Sequence, residues 1–569
     1  MSMSRAALLT SVASLASALW APAAEACGCF TPPDPTVPIV QAGERILFSV
    51  DNGQVTSHVQ IQYQGEAAEF GWLLPLPSVP TLELGTDELF TALYAATQPK
   101  YHLNFNFEST CPQNRGGGFG FAQSAGAPSA DSAGGTGGGA GQDPSPLVIQ
   151  DSIGPYDYAV LKADSKDAML DWLSTNHYFV PAGTDDTVSP YIHPGSFFLA
   201  LKLRSGKSAG DLQPVVLHYA SDAAMIPILL TSTGATENMG VQVWMLGPGR
   251  AIPRNYHHTV INDAVVNWQT AGANYNDVII RAAGEAPGKH TFVTEYAGTS
   301  AVMRNVLNAP ERFGTQIALA NTTDATSFLQ YLGSHGFGIN GVVNSSGGFP
   351  GGFQTTFPAV LKTILAQYIP VPKSALDAKI SADQYYLSYQ YYGSQYPTTV
   401  DFQPAAMAQA IFDRVVAPTL AAGQLFDGQP VLTRLYTTIS PQDMNKDPAF
   451  SFNRGLKDVA NVHNATMSVG CDSLSGNEVS GSLVTEQGWN IIFPNGRSKA
   501  PTLDVSKMPA SLRIEVLREE GEPELATDNG SIISNQVRKA AGCGCSTADA
   551  ALMGLWPLAL LLRRMRRRS

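Results

Sequence analysis

The sequence predicts an α+β fold, a largely antiparallel β-sheet ectodomain with a helical middle region and a flexible Gly-rich insertion. Three observations carry this. Short alternating or apolar runs punctuated by turn residues dominate residues 40–300, helix-period runs opening on proline dominate 301–425, and strand-like runs return after 426. Strands, then helices, then strands is the order of an α+β chain rather than of repeated βαβ units.

Pro32, Pro33, Asp34, Pro35 and Pro38 make an extended lead-in to a strand over 45–50. Asp51-Asn52-Gly53 supplies a hairpin turn, because Asn-Gly tolerates the positive φ of a primed turn. Val55, Ser57, Val59, Ile61 and Tyr63 then alternate with Thr56, His58, Gln60 and Gln62, the period of a half-buried strand. Residues 70–74 form a third strand, ended by Pro75, Pro77 and Pro80. Thr86 caps a helix with Leu89, Phe90, Leu93 and Tyr94 on one face and Asp87 and Glu88 in its first turn, where the helix dipole favours acids.

Residues 116–146 are almost all Gly, Ala, Ser and Pro and cannot bury enough apolar surface to offset their ordering entropy, so a flexible insertion is expected. A phosphate-cradling loop would need a strand before it and a helix opening on Lys-Ser or Lys-Thr after it, and the sequence has neither. Beyond it, strands are expected at 156–162, 196–203, 215–219, 226–231, 241–246 and 291–296, with a helix from Ser165 that turns Met169, Leu170 and Leu173 inward. Helices are expected at 325–332, 357–369, 375–392 and 404–416, with Pro358 and Pro404 in the first turn, where a missing N–H costs nothing. Strands return at 431–438, 489–493 and 512–517.

Arg5, the apolar run 6–20 and Ala24-Glu25-Ala26 read as a secretory signal cut by signal peptidase after Ala26, leaving Cys27 at the mature N-terminus. Lipidation of Cys27 is disfavoured, since Ala24 and Glu25 fit a lipobox poorly. At the other end, Gly542-Cys543-Gly544-Cys545-Ser546 precedes a mostly apolar stretch, 548–562, and then Arg563, Arg564, Arg566, Arg567 and Arg568. The strict apolar run 550–562 is shorter than the ~20 residues of an ordinary spanning helix, although arginines can snorkel and lengthen it. This three-part tail resembles the MYXO-CTERM sorting signal of myxobacteria and their relatives. The resemblance implies transient inner-membrane anchoring through the tail, cutting near Cys543 and Cys545 by a sorting protease of the envelope, and delivery to the cell surface.

Four cysteines, Cys27, Cys29, Cys111 and Cys471, remain in the exported part, and an even number outside the cytosol suggests disulfides. A Cys27–Cys29 bridge is disfavoured because one intervening residue strains its geometry, so these two are expected to pair with Cys111 and Cys471, in either order. A metal or nucleophilic thiol site at Cys27-Gly28-Cys29 is the alternative, but no C-x-x-C pair or H-E-x-x-H motif accompanies it.

Charged residues are 14% of the 569, against ~25% in an average soluble protein, and the net charge is -12. No basic stretch precedes the extreme C-terminus, so the electrostatic footprint of a nucleic-acid binder is missing. His257-His258, beside Arg254, Asn255 and Tyr256, lacks an acidic partner at fixed spacing, and neighbouring side chains diverge in a strand, so no metal site is expected there. His193, in Tyr191-Ile192-His193-Pro194-Gly195 ahead of a strand, is as readily a turn residue as a ligand. Tyr385, Tyr389, Tyr392 and Tyr396, flanked by Tyr386 and Tyr391, recur at helical spacing, where a packing face outweighs a sugar- or protein-binding one. G-x-S-x-G, H-E-x-x-H, P-loop, G-x-G-x-x-G and Cys-His motifs do not occur in their required contexts. Scattered Asp and Glu leave a glycosidase-type carboxylate pair open, since its spacing exists only in three dimensions. No catalytic residue, metal ligand or cofactor is assigned.

Cys27-Gly28-Cys29-Phe30, Gly43-Glu44-Arg45-Ile46, Val59-Gln60-Ile61-Gln62-Tyr63-Gln64-Gly65 and Phe70-Gly71-Trp72-Leu73-Leu74-Pro75-Leu76-Pro77 together resemble the opening of an exported bacterial family, domain of unknown function 2330, over much of 27–300. Leu432-Thr433-Arg434-Leu435-Tyr436-Thr437-Thr438-Ile439-Ser440-Pro441 has the look of its longer members. The resemblance implies a secreted or surface module and carries no catalytic residues. The expected organisation is a signal peptide (1–26), a mixed α+β domain (27–300), a mainly helical region (301–425), a strand-containing region (426–540) and a sorting tail (541–569). The expected role is a non-catalytic binding or structural module at the cell surface or outer membrane of a Gram-negative bacterium, meeting an unknown cell-surface ligand. The alternative is an extracellular hydrolase acting on polysaccharide or peptide.

Overall fold

The computed structural model describes residues 42–60, 71–108, 111, 145–178, 184–205, 212–304, 306–307, 315–337, 339–342 and 353–542. The signal segment, most of the glycine-rich insertion and the sorting tail lie outside the described residues.

The chain opens with β1 (Ala42–Asp51) and β2 (Gln54–Gln60), joined by the expected turn, in which Asn52 and Gly53 take φ of 48° and 74°. β2 is not half-buried: it lies between two strands and buries Val55, Ser57 and His58, so both its faces are covered. β3 (Gly71–Leu76) runs through Pro75 because it is an edge strand, where a missing N–H is tolerated. β4 (Thr81–Leu84) leads to α1 (Asp87–Thr97), capped as expected by the Thr86 hydroxyl, which accepts the Glu88 amide N–H. β5 (Lys100–Phe107), β6 (Leu147–Ile153) and β7 (Tyr156–Lys162) follow. α2 (Lys166–Thr175) starts at the Ser165 cap and buries Met169 and Leu173, and α3 (Thr184–Val188) precedes β8 (Phe197–Leu203) and β9 (Val215–Ala220).

β10 (Ala224–Met225) is a two-residue strand, and the strand expected over 226–231 is instead the helical turn α4 (Ile228–Thr231). A short apolar run does not distinguish strand from buried helix. Asp447 decides it, accepting the Leu229 amide N–H at 3.1 Å across 218 residues of sequence, as an N-cap would. β11 (Met239–Gly247), β12 (Arg250–Pro253), β13 (His257–Ile261), α5 (Tyr275–Glu285) and β14 (Thr291–Thr299) come next.

The helical middle holds α6 (Thr315–Ala320), α7 (Ala325–Ser334), the hairpin β15 (Ile339–Val342) and β16 (Phe353–Thr356), and α8 (Ala359–Tyr368). The single helix expected over 375–392 is broken into α9 (Lys373–Asp377), α10 (Ala382–Leu387) and α11 (Tyr389–Gln395). Lys379 takes a φ of 62°, and Ser381 and Gln384 cap each other reciprocally to start a new helix. α12 (Pro404–Ile411) passes through a π-helical turn at Phe412–Val416 into α13 (Ala417–Gly428). The chain then forms β17 (Val431–Ile439), β18 (Ala449–Asn453), β19 (Val462–Cys471), β20 (Glu478–Val484), β21 (Asn490–Phe493), β22 (Ser511–Val516), β23 (Glu524–Asp528) and α14 (Gly530–Ala540).

A ten-stranded sheet, ordered β23-β22-β13-β14-β17-β11-β1-β2-β9-β4, organises these elements. The fold is α+β as expected, and most pairings in this sheet are antiparallel, but the sheet is mixed: β1 runs parallel to β11, and β13 to β14. β17 lies between β14 and β11, so strands from before residue 300 and after residue 426 share one sheet. Thr299 pairs with Val431, which makes the helical middle an excursion between two neighbouring antiparallel strands. The antiparallel sheet β3-β8-β7-β6 packs Tyr156, Val160, Leu199 and Leu201 into one core with Ile46, Phe48, Val243 and Met245 of the large sheet. The sheet β21-β20-β19-β5 closes a second core with α5 and α14. Among the described residues no helix is long and apolar enough to cross a membrane.

Candidate functional site

Two of the four candidate cysteines meet. Cys111 and Cys471 form a disulfide, with Cα atoms 5.0 Å apart and a sequence separation of 360 residues. This corrects the expectation that each would pair with Cys27 or Cys29. The cause is register: β5 and β19 run parallel with Phe107 opposite Val469, so the chain leaving β5 and the end of β19 arrive side by side. Cys27, Cys29 and the processing residues Ala26, Cys543 and Cys545 lie outside the described residues.

Strand register also builds a polar face on the large sheet. Arg45 of β1 lies opposite Gln242 of β11, which lies opposite Tyr436 of β17, and Gln60 of β2 extends this row. The next row is His58, Leu47, Trp244 and Arg434. The intervening residues Ile46, Val243 and Leu435 belong to the apolar face, so the period of two separates polar from apolar within each strand. A polar face inside a protein must find its partners there.

α1 and α5 supply them. Arg434 and Glu295 have no exposed side-chain surface, and Arg434 Nε donates to Glu295 Oε2 at 2.5 Å. Tyr275 of α5 donates its hydroxyl to Glu295 Oε1 at 2.8 Å. The Arg434 guanidinium lies 4.8 Å from the ring centre of Tyr94 and 5.4 Å from that of Trp244, and Trp244 Nε1 donates to Thr97 Oγ1 at 3.0 Å. Arg45 Nη1 donates to Gln60 Oε1 at 3.3 Å, and Gln60 Nε2 donates to Asp87 Oδ1 at 2.8 Å. Burial pushes the Asp87 carboxyl above the usual carboxylate range, against the opposing pull of Gln60 and Arg45. It also raises the Tyr94 and Tyr275 hydroxyls, so that Tyr275 stays a donor to Glu295 at neutral pH, and drives the His58 imidazole down to about 3. Three stretches distant in sequence, around Arg45, Gln60 and Arg434, thus converge on one closed network. Its ion pair has no exposed side-chain surface, and its chemistry is that of fixing five strands and two helices together.

The two neighbouring histidines of β13 do diverge. His258 is buried, with Nδ1 3.3 Å from Glu515 Oε2 and Nε2 3.0 Å from Thr294 Oγ1 and 3.2 Å from Arg250 Nη2. The acidic partner that sequence spacing did not reveal sits 257 residues further on. Among the described residues no group of three or more His, Cys, Asp or Glu is arranged to hold a metal ion. His193 is a turn residue, its carbonyl accepting the Ser196 amide N–H. The tyrosine stripe packs: Tyr385 and Tyr386 are buried, donating to the carbonyls of Tyr396 and Ile369, while Tyr391 is 59% exposed.

The disulfide anchors a second candidate surface. In the sheet β21-β20-β19-β5, Tyr101, Ala465, Met467, Val469, Leu483 and Phe493 face the core. On the opposite face Asn104 lies beside Thr466, and Asn106 beside Ser468. Ser468 lies beside Ser482, and Thr466 beside Val484, which is followed by Asn490. These side chains are exposed or half-buried, and none of them is charged; the Glu108 carboxylate, against Gly470, marks the charged edge of the face. Neighbouring strands stand about 4.7–4.9 Å apart and same-face residues about 6.8 Å apart, so carboxamides and hydroxyls stand at regular spacing on this face, with Val484 among them. Sequence reading missed β19 and β20 because Asn, Ser, Thr and Gly imitate loop composition. The signal was there in Ala465, Met467, Val469 and Cys471, a period of two ending at a disulfide.

A family model described as an uncharacterized protein conserved in bacteria, DUF2330, matches residues 21–325, more than half of the chain. No curated protein and no solved structure matches it. The match ends before β17, the strand that completes the centre of the large sheet.

Proposed function

We propose that this chain, which belongs to the DUF2330 family of uncharacterized bacterial proteins, is a surface-displayed module of the Gram-negative envelope that binds another, uncharged component of the cell surface. The observation that carries the reading is the exposed face of β21-β20-β19-β5. Its carboxamides and hydroxyls exchange hydrogen bonds with a neutral, hydroxyl-rich partner such as an envelope polysaccharide without taking an ion out of water. With a net charge of -12 the protein repels anionic lipid and nucleic acid, and the uncharged centre of this face, away from Glu108 at its edge, is where a neutral partner docks at least electrostatic cost. Export is supported by the signal-like N-terminal segment and the sorting-like tail, processed by signal peptidase and by a sorting protease of the envelope, and a disulfide fits that compartment. A hydrolase needs its charged groups open to substrate, whereas the shortest ion pair among the described residues, Arg434 with Glu295, is closed.

The purified exported protein is expected to bind surface polysaccharide from its own cells saturably. Replacing Asn104, Thr466 and Asn490 together with alanine is expected to weaken that binding at least about tenfold, three hydrogen bonds at about 0.5–1.5 kcal/mol each, with an unchanged circular dichroism spectrum. Equal binding by the triple variant, or release of soluble sugar by the wild type, would overturn the reading.

A further inference from the structure

The large sheet has one narrow joint. β13 and β14 pair only through His257 with Thr291 and His258 with Phe292, whereas β14 and β17 pair from Val293 to Thr299, and β13 and β22 from His258 to Ile261. Beyond the ladder, the joint is held by the Thr259 and Thr291 hydroxyls, 2.8 Å apart, and by the Thr291 hydroxyl donating to the His257 carbonyl at 3.2 Å. The His257 amide N–H also donates to the His290 carbonyl at 2.8 Å, and Asn453 on β18 donates to the Arg518 and Gly521 carbonyls between β22 and β23; His258 adds the titratable tie, reaching Glu515 on β22, Thr294 on β14 and Arg250 on β12.

The geometry points to His258 as an acid-sensitive latch: protonation of its ring loosens the wing β13-β22-β23 from the rest of the sheet. A guanidinium cannot accept, so Arg250 Nη2 donates and His258 Nε2 is the acceptor. The single ring proton therefore sits on Nδ1 and is donated to Glu515 Oε2. A second proton, on Nε2, would face the Arg250 guanidinium at 3.2 Å, in a site where the ring is buried. The charged groups around the ring pull in both directions. Glu515 favours the imidazolium; Arg250 from β12 and Arg513 from β22 oppose it; Asp458, after β18, acts on Arg250. α5, packed on the same wing, adds Glu285, which accepts the Ala510 and Ser511 amides at the start of β22. Burial is the largest influence and holds the His258 imidazole below the usual histidine range. Once the wing opens, the ring regains an ordinary pKa of about 6.5. Protonation then favours the open seam by up to about tenfold for each pH unit below that value, until the folded ring itself titrates. At neutral pH the latch is closed.

Amide hydrogen exchange by mass spectrometry on the exported protein, followed from pH 7.5 to 5 and corrected for the intrinsic rate, tests this. Peptides covering β13, β22 and β23 are expected to lose protection at least about tenfold relative to β7 and β8, which carry no histidine. His258→Gln is expected to abolish that difference, and Arg250→Gln, which removes the opposing cation, to reduce it. Uniform loss across the sheet, or an undiminished wing response in His258→Gln, would overturn the latch. Should His258→Gln fail to fold, a wild-type response in Arg250→Gln would do so.

Discussion

Replacing Arg434 with methionine is expected to lower the unfolding free energy by about 3–5 kcal/mol, because the Glu295 carboxylate is left charged, buried and without its cation. A surface ion pair would contribute no more than about 1 kcal/mol, so the magnitude itself reports the burial. Adding Glu295→Gln to the same chain is expected to restore part of the loss. Glutamine carries no charge and its side-chain oxygen still accepts the Tyr275 hydroxyl, so the centre becomes neutral while keeping one of its hydrogen bonds. Urea titration followed by tryptophan fluorescence measures both, since Trp244 packs against the guanidinium. A cost below about 1 kcal/mol for Arg434→Met, or a double variant less stable than the single one, would contradict the closed centre described here.

Reduction of the Cys111–Cys471 disulfide carries the second large expected effect. The bond closes a loop spanning 360 residues, which in the chain-entropy account restricts the unfolded state and stabilises the folded one by about 2–5 kcal/mol. It also joins the ends of β5 and β19, so its loss is expected to act first on the sheet that carries the carboxamide and hydroxyl face. Thermal unfolding with and without reductant should show a lower midpoint for the reduced protein, together with weaker binding at that face. A midpoint indifferent to reductant would mean that the β5–β19 ladder and its core hold without the link.

The contrast between α1 and α4 marks how far local sequence reached. Thr86, Asp87, Glu88, Leu89, Phe90 and Leu93 determine α1 from within a dozen residues, and the helix stands as read. α4 takes its cap from Asp447, and no local pattern in 226–231 contains that carboxylate. The break between α9 and α10 followed the same rule in a smaller space: the helical period over 375–392 favoured one helix, while the positive φ of Lys379 and the Ser381–Gln384 box imposed another start. At the candidate sites, Arg45, Arg434 and Tyr436 stood in stretches that drew notice, but their shared network depends on β17 lying between β14 and β11, a topological fact. His258 was legible as a histidine and illegible as a latch for that reason, since Glu515, Arg250 and Thr294 reach it through three other strands. The disulfide failed in pairing because four cysteines leave three connectivities, and only strand register chooses among them.

Surface display is the premise on which the binding face acquires its partner, and intact-mass analysis of the protein recovered from the surface of its own cells tests it most directly. A mature chain beginning at Cys27, ending near Cys543 and accessible to protease added outside the cell is the result expected here. A chain still ending in Ser569 and held in the inner membrane would contradict it, and would leave the carboxamide and hydroxyl face without access to the surface component proposed to bind there.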